Sequence, residues 1–312
     1  MSFTSFVRAV FRIYYHLYCG ASWRDVWALH RPVLEQFAAS GLLEKLVVCV
    51  YGAPQDLGMS PACNLEIRQV SHTIRDVNEF HTLQQLQRDA LDPAQTFSYC
   101  VYLHSKGASS PHLSEAAEEW SSFLVRALLR SLPAFGRLVA LGYNSLGSNL
   151  AFGIFEDFGQ PRLHYSGNFW CATRQLVVSA PQITLGIRYT AVRHNAEWWL
   201  ERAPAFTPFN VFSTGTDHYS APAGVVDWER LESRLGQLTA LTRPARNAME
   251  ATSFLREMIQ RATGRQPVRQ WLSDALLRVL PHHRWRRLLN VHHVMMRTLG
   301  SRKSTYFYCS ES

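Results

Sequence analysis

The sequence predicts an α/β fold in which a mainly parallel sheet is flanked by helices and followed by a basic helical region. Two observations predict the sheet. Strand-like and helix-like segments alternate over roughly the first hundred residues, and several strand-like runs are apolar on both faces. Strands of that kind belong to parallel sheets that helices cover. A third observation, the lack of strand-like patterns after about residue 226, predicts the helical region.

The first strand and helix occupy residues 12–41. Residues 12–19 are aromatic and β-prone, and the segment after them carries apolar residues at helical spacing until Gly41. Ser22 and Asp25 resemble a capping box at the start of this helix.

The following segments repeat the alternation. Strand-like runs cover residues 45–51, 65–70 and 97–103, and a helix-like segment covers residues 79–91. The order β-α-β-β-α-β favours a parallel sheet. No glycine-rich dinucleotide motif and no P-loop follows the first strand, so neither type of phosphate site is predicted.

Later elements are shorter or less regular. We expect a helix from about Ser114, a second helix that ends near Gly142, and a strand over residues 163–172. A short helix should begin at Asn195, which is a suitable N-cap, and residues 206–213 are strand-like.

Positive charge is concentrated near the end of the chain. The formal net charge is +8, and residues 243–303 contain thirteen Arg or Lys against three acids. We therefore divide the chain into a catalytic-type α/β domain over residues 1–225 and a helical, arginine-rich region over residues 226–312.

Two features predict the compartment. Runs of about 18 uncharged apolar residues, which a membrane-spanning helix needs, are missing from the sequence. The six cysteines form no C-x-x-C pair, which disfavours a zinc site and fits a reducing environment. We expect a cytoplasmic protein that does not span a membrane.

Polar residues follow two of the predicted strands. His16 lies near the end of the first strand, and His104, Ser105, Lys106 and Gly107 follow the strand that ends at residue 103. Ligands of open α/β sheets bind at the carboxyl ends of the strands, and a lysine on a glycine-containing loop suits a phosphate. Alternatively, Lys106 is only solvated and His104 caps the loop.

Two further segments suit a sugar or a proton transfer. In the first, His164, Asn168, Phe169 and Trp170 combine aromatic rings with hydrogen-bonding groups, although a core strand would show the same pattern. In the second, Glu197 beside Trp198 could be a general base, or it could simply offset a helix dipole. The pairs Glu156-Asp157 and Asp217-His218 are weaker candidates for a metal.

The motifs and their order along the chain resemble a family of glycosyltransferase-like proteins from bacterial surface-polysaccharide loci, related to the rhamnan-synthesis proteins. The resemblance spans roughly residues 11–220. The matching residues are His16, Trp23, Ser40-Gly41-Leu42, Glu79, Thr82, Leu83, His104 to Gly107, Trp120, His164 to Trp170, Ala196, Glu197 and Trp199.

The chain also departs from the family pattern. Ser121 stands where Arg usually follows the helix tryptophan, Asn144 replaces the aspartate of a G-Y-D-x-x-G segment, and Cys171 replaces the second residue of a tryptophan pair. These departures leave open an altered acceptor or a weakened activity.

The resemblance implies an A-type glycosyltransferase fold. That fold usually carries a metal-binding Asp-x-Asp after a central strand, where this chain has His104-Ser105-Lys106. By this analogy we expect basic groups to stabilise the leaving phosphate without a divalent metal or other cofactor.

The resemblance further implies that a sugar moves from a nucleotide-activated donor to a surface polysaccharide or lipid-linked glycan. Glu197, His104 and Lys106 would be catalytic, while His16, Ser105, Gly107 and His164 would bind the donor. Asn168, Phe169, Trp170 and Trp198 would bind the acceptor. A non-catalytic glycan-binding or scaffold protein with the same fold is the alternative.

The basic region has an amphipathic pattern. Over residues 265–303, apolar residues that include Trp271 and Trp285 recur at helical spacing among arginines. This pattern is typical of a helix that lies on an anionic membrane surface, although the apolar face could instead pack on the catalytic domain. The sequence contains no recognisable nucleic-acid module, so we expect no nucleic-acid partner.

Overall fold

The computed structural model describes residues 10–53, 56–72, 79–154, 161–186, 193–215, 222–241 and 306–308. The first part of the chain forms the predicted strand and helix order. Its elements are β1 Phe11–Tyr18, α1 Trp23–Ala39, β2 Leu43–Tyr51, a 3-10 turn Pro61–Cys63, β3 Leu65–Ser71, α2 Phe80–Leu91 and β4 Tyr99–His104.

The remaining elements complete the sheet and add a second one. They are α3 Glu115–Ala140, β5 Ser145–Gly147, β6 Leu150–Ile154, β7 Pro161–Tyr165, β8 Trp170–Thr173, α4 Arg174–Ser179, the 3-10 helices Arg193–Trp198 and Leu200–Arg202, β9 Pro208–Asn210, α5 Trp228–Leu241 and β10 Tyr306–Tyr308.

The main sheet has seven strands in the order β3-β2-β1-β4-β8-β5-β9. Strands β1 to β4 are mutually parallel where they pair, and β5 and β9 are also parallel. Strand β8 is antiparallel to both of its neighbours, β4 and β5. A smaller antiparallel sheet has the order β10-β6-β7. The predicted α/β class with a mainly parallel sheet is thus confirmed.

Apolar side chains bury both faces of the main sheet. On one face, α1, α3 and α5 pack against residues such as Ile13, Leu103 and Leu146. On the other face, α2, α4 and the 3-10 helices pack against residues such as Tyr14 and Tyr102. The strands are apolar on both faces because helices cover both sides.

Two local predictions differ from the structure. Helix α3 is one helix of 26 residues that runs through Pro133, because buried residues such as Leu132 and Phe135 hold both halves against the core. The single strand expected over residues 163–172 is instead two strands in different sheets. Between them, Gly167 and Asn168 have positive φ angles of 91° and 56°, which an extended strand does not contain.

The two predicted helix caps are confirmed only in part, since Ser22 does occupy the N-cap position of α1. Ser22 precedes α1, but its hydroxyl donates to the carbonyl of Ser110 at 2.7 Å and makes no cap hydrogen bond. Asn195 lies inside a 3-10 helix rather than at its start. The Ser22 hydroxyl ties the loop after β1 to the loop after β4, an interaction that local spacing does not reveal.

The region after residue 225 is in part packed on the α/β domain. Leu231, Leu235 and Leu238 of α5 lie in the core beside α3. The prediction of an entirely helical region is wrong at residues 306–308, because β10 is a strand that pairs with β6. The boundary itself stays a prediction, and residues 265–303 lie outside the described residues. Within the described ranges, no helix is both long and apolar enough to cross a membrane.

Candidate functional site

Two histidines lie side by side at the carboxyl ends of the central strands. His16 on β1 and His104 on β4 are register partners, and both are buried. The Nδ1 atom of His16 lies 2.9 Å from the hydroxyl oxygen of Thr82 on α2. The ring of Tyr51 lies 4.7 Å from the His16 ring. Parallel pairing of β1 with β4 therefore brings together two residues that are far apart in the sequence.

A buried carboxylate faces these histidines. Glu79 precedes α2, and its Oε2 atom accepts hydrogen bonds from the Tyr102 hydroxyl at 3.0 Å and from Nδ2 of Asn168 at 2.7 Å. Its Oε1 atom lies 4.0 Å from Nδ1 of His104. The carboxylate thus joins α2, β4 and the β7–β8 turn.

Electrostatics favour the ionised form of this carboxylate. Burial alone would raise the pKa of the Glu79 carboxyl. Nearby positive charges act in the opposite sense, and they belong to His104, His16 and Lys106. Together with the Asn168 hydrogen bond, they lower the pKa of Glu79 to about 2. We refer to these five residues, His16, Glu79, His104, Lys106 and Asn168, as the strand-end cluster.

The β7–β8 turn is held from both sides. His104 Nε2 donates to the carbonyl oxygen of Gly167 at 2.7 Å, which assigns a proton to that nitrogen. A Cβ atom at Gly167 would lie 2.6 Å from Cδ1 of Leu124, so the site requires glycine for space as well as for its positive φ. The Asn168 Oδ1 atom accepts from Nε1 of Trp170 at 3.0 Å.

The loop after β4 presents a lysine. The Ser105 hydroxyl accepts from the backbone N–H of Tyr18 at 2.9 Å, so it joins the ends of β1 and β4. Gly107 has a φ of 94°, which favours glycine. The Nζ atom of Lys106 lies 4.9 Å from the centre of the Trp120 ring, and the lysine is only partly buried. Lys106 is therefore the most exposed charged member of the cluster.

The aromatic residues predicted for the acceptor are deeply packed. Trp170 is 2% exposed, and its neighbours are the stacked ring of Tyr102 at 5.5 Å and the ring of Trp199 at 6.2 Å. Phe169 lies in the core, 5.1 Å from the His104 ring. Phe169 thus contacts the strand-end cluster at His104, and Trp170 contacts it at Asn168.

A second group of predicted residues lies around Glu197. Its Oε2 atom is 3.9 Å from Nε2 of His164 on β7, and the Trp198 ring packs edge-on against the His164 ring at 6.1 Å. The Glu197 side chain is 14% exposed, whereas that of His164 is 1% exposed. Of this pair, the carboxylate is the group that solvent reaches.

Sequence reasoning missed the centre of the strand-end cluster. The family motif includes Glu79 and Thr82 without giving either a function, and no sequence pattern marks Tyr102. The spacing of Glu79 and Thr82 was the available signal, because residues three apart lie on the same side of a helix. Their partners on β1 and β4 could not be inferred from it.

No protein-family model and no curated protein matches the sequence. The chain is similar in fold to solved structures of glucosyl-3-phosphoglycerate synthase from Mycobacterium tuberculosis. One contains Mn²⁺, UDP and glucosyl-3-phosphoglycerate, with 14% identity, a TM-score of 0.34, and coverage of 75% of this chain and 78% of that chain. Another contains Mn²⁺, UDP-glucose and phosphoglyceric acid, with 15% identity, a TM-score of 0.35 and the same coverage.

A third similar structure is a candidate nucleotide-diphospho-sugar transferase from Desulfovibrio desulfuricans G20. It is 11% identical, with a TM-score of 0.34, and the matched region covers 74% of this chain and 98% of that chain. At such identities the likeness bears on the fold alone. These similar structures are nucleotide-sugar transferases, and the observed α/β arrangement with a mainly parallel sheet agrees with the prediction.

The expectation that no divalent metal is needed is wrong by this comparison, because the similar synthase structures contain Mn²⁺ with UDP or UDP-glucose. The missing Asp-x-Asp was weak evidence, since metal ligands can come from other segments of a fold. Over the described ranges, no group of three or more His, Cys, Asp or Glu side chains is arranged to hold a metal ion. Glu156-Asp157 and Asp217-His218 lie outside those ranges.

Proposed function

We propose that this protein is a glycosyltransferase that moves a sugar from a nucleotide-activated donor to a glycan or lipid-linked acceptor. The observation that carries the proposal is the strand-end cluster. It places three basic side chains around one buried carboxylate at the carboxyl ends of parallel strands. This edge is where open α/β sheets bind their ligands.

Lys106 is the residue that we assign to the donor diphosphate. Its loop follows β4 directly, and the positive φ of Gly107 turns the chain there. A lysine is a point charge that suits phosphate, and it would stabilise the negative charge that develops on the leaving nucleotide. His16 and His104 would add positive charge behind it.

We assign Glu197 as the general base. As the acceptor hydroxyl attacks the sugar carbon, the carboxylate takes the hydroxyl proton and the bond to the donor phosphate breaks. His164 lies 3.9 Å away and would orient the carboxylate. Trp198, packed on His164, would form the wall of this part of the site.

The family resemblance and the basic region support a more specific role. The motifs of residues 11–220 resemble proteins of bacterial surface-polysaccharide loci, whose acceptors are glycans or lipid-linked glycans. The arginine-rich pattern of residues 265–303 would hold the enzyme on the inner face of an anionic membrane, beside such an acceptor. This placement is part of the proposal.

The first experiment is a thermal-shift screen of nucleotide sugars with Mn²⁺ present, because the similar synthases hold that ion. A ligand at 100 times its Kd stabilises a protein by about 2.7 kcal/mol, which a melting curve detects. The stabilising donor is then tested for hydrolysis and transfer. Stabilisation without turnover would favour the non-catalytic glycan-binding alternative.

Variants then test the assigned residues. Lys106→Ala should lower turnover by about 10²–10³-fold while the protein stays folded, because one charge-stabilising group is removed. Glu197→Gln should abolish transfer. The matched control is Lys45→Ala. Lys45 lies near the amino end of β2, away from the strand-end cluster, and pairs with Glu66. Turnover by folded Lys106→Ala at the rate of the control would contradict the assignment.

A further inference from the structure

The strand-end cluster contains a residue to which no role has been assigned so far. Glu79 is buried, and its contacts come from two other parts of the fold, β4 and the β7–β8 turn. A buried carboxylate is costly unless it is paired and hydrogen-bonded. Here a single oxygen, Oε2, accepts from both Tyr102 and Asn168, which leaves Oε1 facing His104.

Both ring nitrogens of His104 face protein groups. Nε2 donates to the Gly167 carbonyl, and Nδ1 lies at ion-pair distance from Glu79. When the ring is protonated, both nitrogens carry a proton: Nε2 has its acceptor, and Nδ1 has a carboxylate oxygen at ion-pair distance. With Nε2 bonded to the Gly167 carbonyl and Nδ1 at ion-pair distance from Glu79, we assign His104 an effect on the site through its charge.

We propose that Glu79 is a positioning residue that keeps His104 in its protonated form and thereby fixes a positive charge at the carboxyl end of β4. The inference rests on the proposed function in one respect, because the charge is useful to a donor diphosphate. The same ion pair holds the β7–β8 turn, since His104 bonds Gly167 while Glu79 bonds Asn168.

The other titratable groups around His104 leave Glu79 as its counter-ion. His30 on α1 is neutral, because burial and then the charge of His104 lower its pKa to about 3. Burial raises the pKa of the Tyr102 hydroxyl, so it is neutral as well. The remaining neighbours with charge, His16 on β1 and Lys106 after β4, oppose a charge on His104. Of these five groups, Glu79 is the one that favours the protonated ring.

The substitution Glu79→Gln tests the charge while it keeps the shape. The amide oxygen can accept from Tyr102 and Asn168 as Oε2 does, and the amide nitrogen can donate to a neutral Nδ1 of His104. We expect a folded protein in which the midpoint pH of the His104 titration falls by about 1–3 units. A shift of this size is typical when an opposite charge at about 4–6 Å is lost. Tyr102→Phe is the matched control, because it removes one hydrogen bond and keeps the carboxylate.

The readout is nitrogen NMR of the ¹⁵N-labelled histidines in the full chain, with the His104→Gln spectrum identifying the resonance. In the wild type, both His104 nitrogens should carry protons at pH 7.5. In Glu79→Gln, the ring should be neutral at that pH with its proton on Nε2. Tyr102→Phe should titrate close to the wild type. A neutral His104 ring in the folded wild type at pH 7.5 would overturn the proposal, and this measurement does not depend on any variant. Identical titration of His104 in the wild type and in Glu79→Gln would also overturn it.

Activity provides a second arm. If the screen has found a donor, the rate of Glu79→Gln should fall at lower pH than the rate of the wild type as pH rises, by the same 1–3 units in order of magnitude. A purely structural role would lower the rate equally at every pH, and that result would count against the proposal. If no donor is turned over, the proposed function fails, while the NMR result still decides the role of Glu79.

Discussion

At the scale of the residue, His30 shows how burial determines the charge of a side chain in this protein. It lies on the buried face of α1, 2.8 Å from the hydroxyl of Tyr15 and 2.8 Å from that of Ser121. Ser121 is one of the three residues that depart from the pattern of the resembled family, and here it completes a hydrogen-bonded group in the core. Burial and then the His104 charge lower the pKa of His30 to about 3, so the ring is neutral at physiological pH.

This depressed pKa predicts acid sensitivity. Below about pH 6.5 the unfolded chain protonates His30 and the folded protein does not, so stability is complete above that pH and falls as pH drops toward 3. Between pH 7 and pH 5, the wild type should lose about 2 kcal/mol more of its free energy of unfolding than His30→Gln, as measured by urea denaturation. Equal losses in the two proteins would show that His30 is protonated in the folded state.

At the scale of the element, α5 belongs to the core of the α/β domain. Leu231, Leu235 and Leu238 are buried against the face that α3 also covers. Arg130 of α3 forms an ion pair with Glu232 at the surface of this contact. Surface ion pairs contribute little, so burial of the leucines supplies most of the stability.

Leu235→Ala should therefore destabilise the whole domain and not only the helix. A buried Leu→Ala change costs about 2–5 kcal/mol, and the free energy of unfolding from urea denaturation should fall by that amount. Ser233→Ala, an exposed change on the same helix, should stay within about 0.5 kcal/mol of the wild type. If Leu235→Ala has no more effect than Ser233→Ala, α5 does not share the core.

At the scale of the whole molecule, the arginine-rich residues lie between two described elements. Helix α5 ends at Leu241, and β10 begins at Tyr306 and pairs with β6. Removal of everything after residue 242 would therefore also remove a strand of the second sheet. Membrane binding is therefore tested in the full chain, where substitutions neutralise the charges and the second sheet is kept.

Neutralising Arg284, Arg286 and Arg287 with glutamine should weaken flotation with anionic vesicles. Each base near an anionic surface contributes about 1 kcal/mol, so the partition coefficient should fall by about two orders of magnitude. The matched control substitutes glutamine for Arg31, Arg88 and Arg137, which are exposed on α1, α2 and α3. It removes the same amount of positive charge. Flotation of the wild type should also decline at high salt. Equal flotation of both triple variants would argue against a membrane role for residues 265–303.

Much of the fold could be predicted from local patterns. The alternation of β1, α1, β2, β3, α2 and β4 follows from apolar runs and helical spacing, which neighbouring residues carry by themselves. The segment His104-Ser105-Lys106-Gly107 could be placed at a strand end for the same reason. The metal prediction was wrong because one missing motif does not describe a whole site.

The rest depended on contacts between distant residues. Glu79 and Asn168 are 89 positions apart, and only the packing of α2 against the β7–β8 turn gives the carboxylate its partner. The Ser22 hydroxyl makes no cap hydrogen bond and instead donates to the carbonyl of Ser110, 88 positions away. By itself, the sequence determined the fold class and the strand ends, because periodicity is local. The tertiary structure decided which polar groups meet there, because each buried group takes whichever partner the packed elements bring within hydrogen-bond distance.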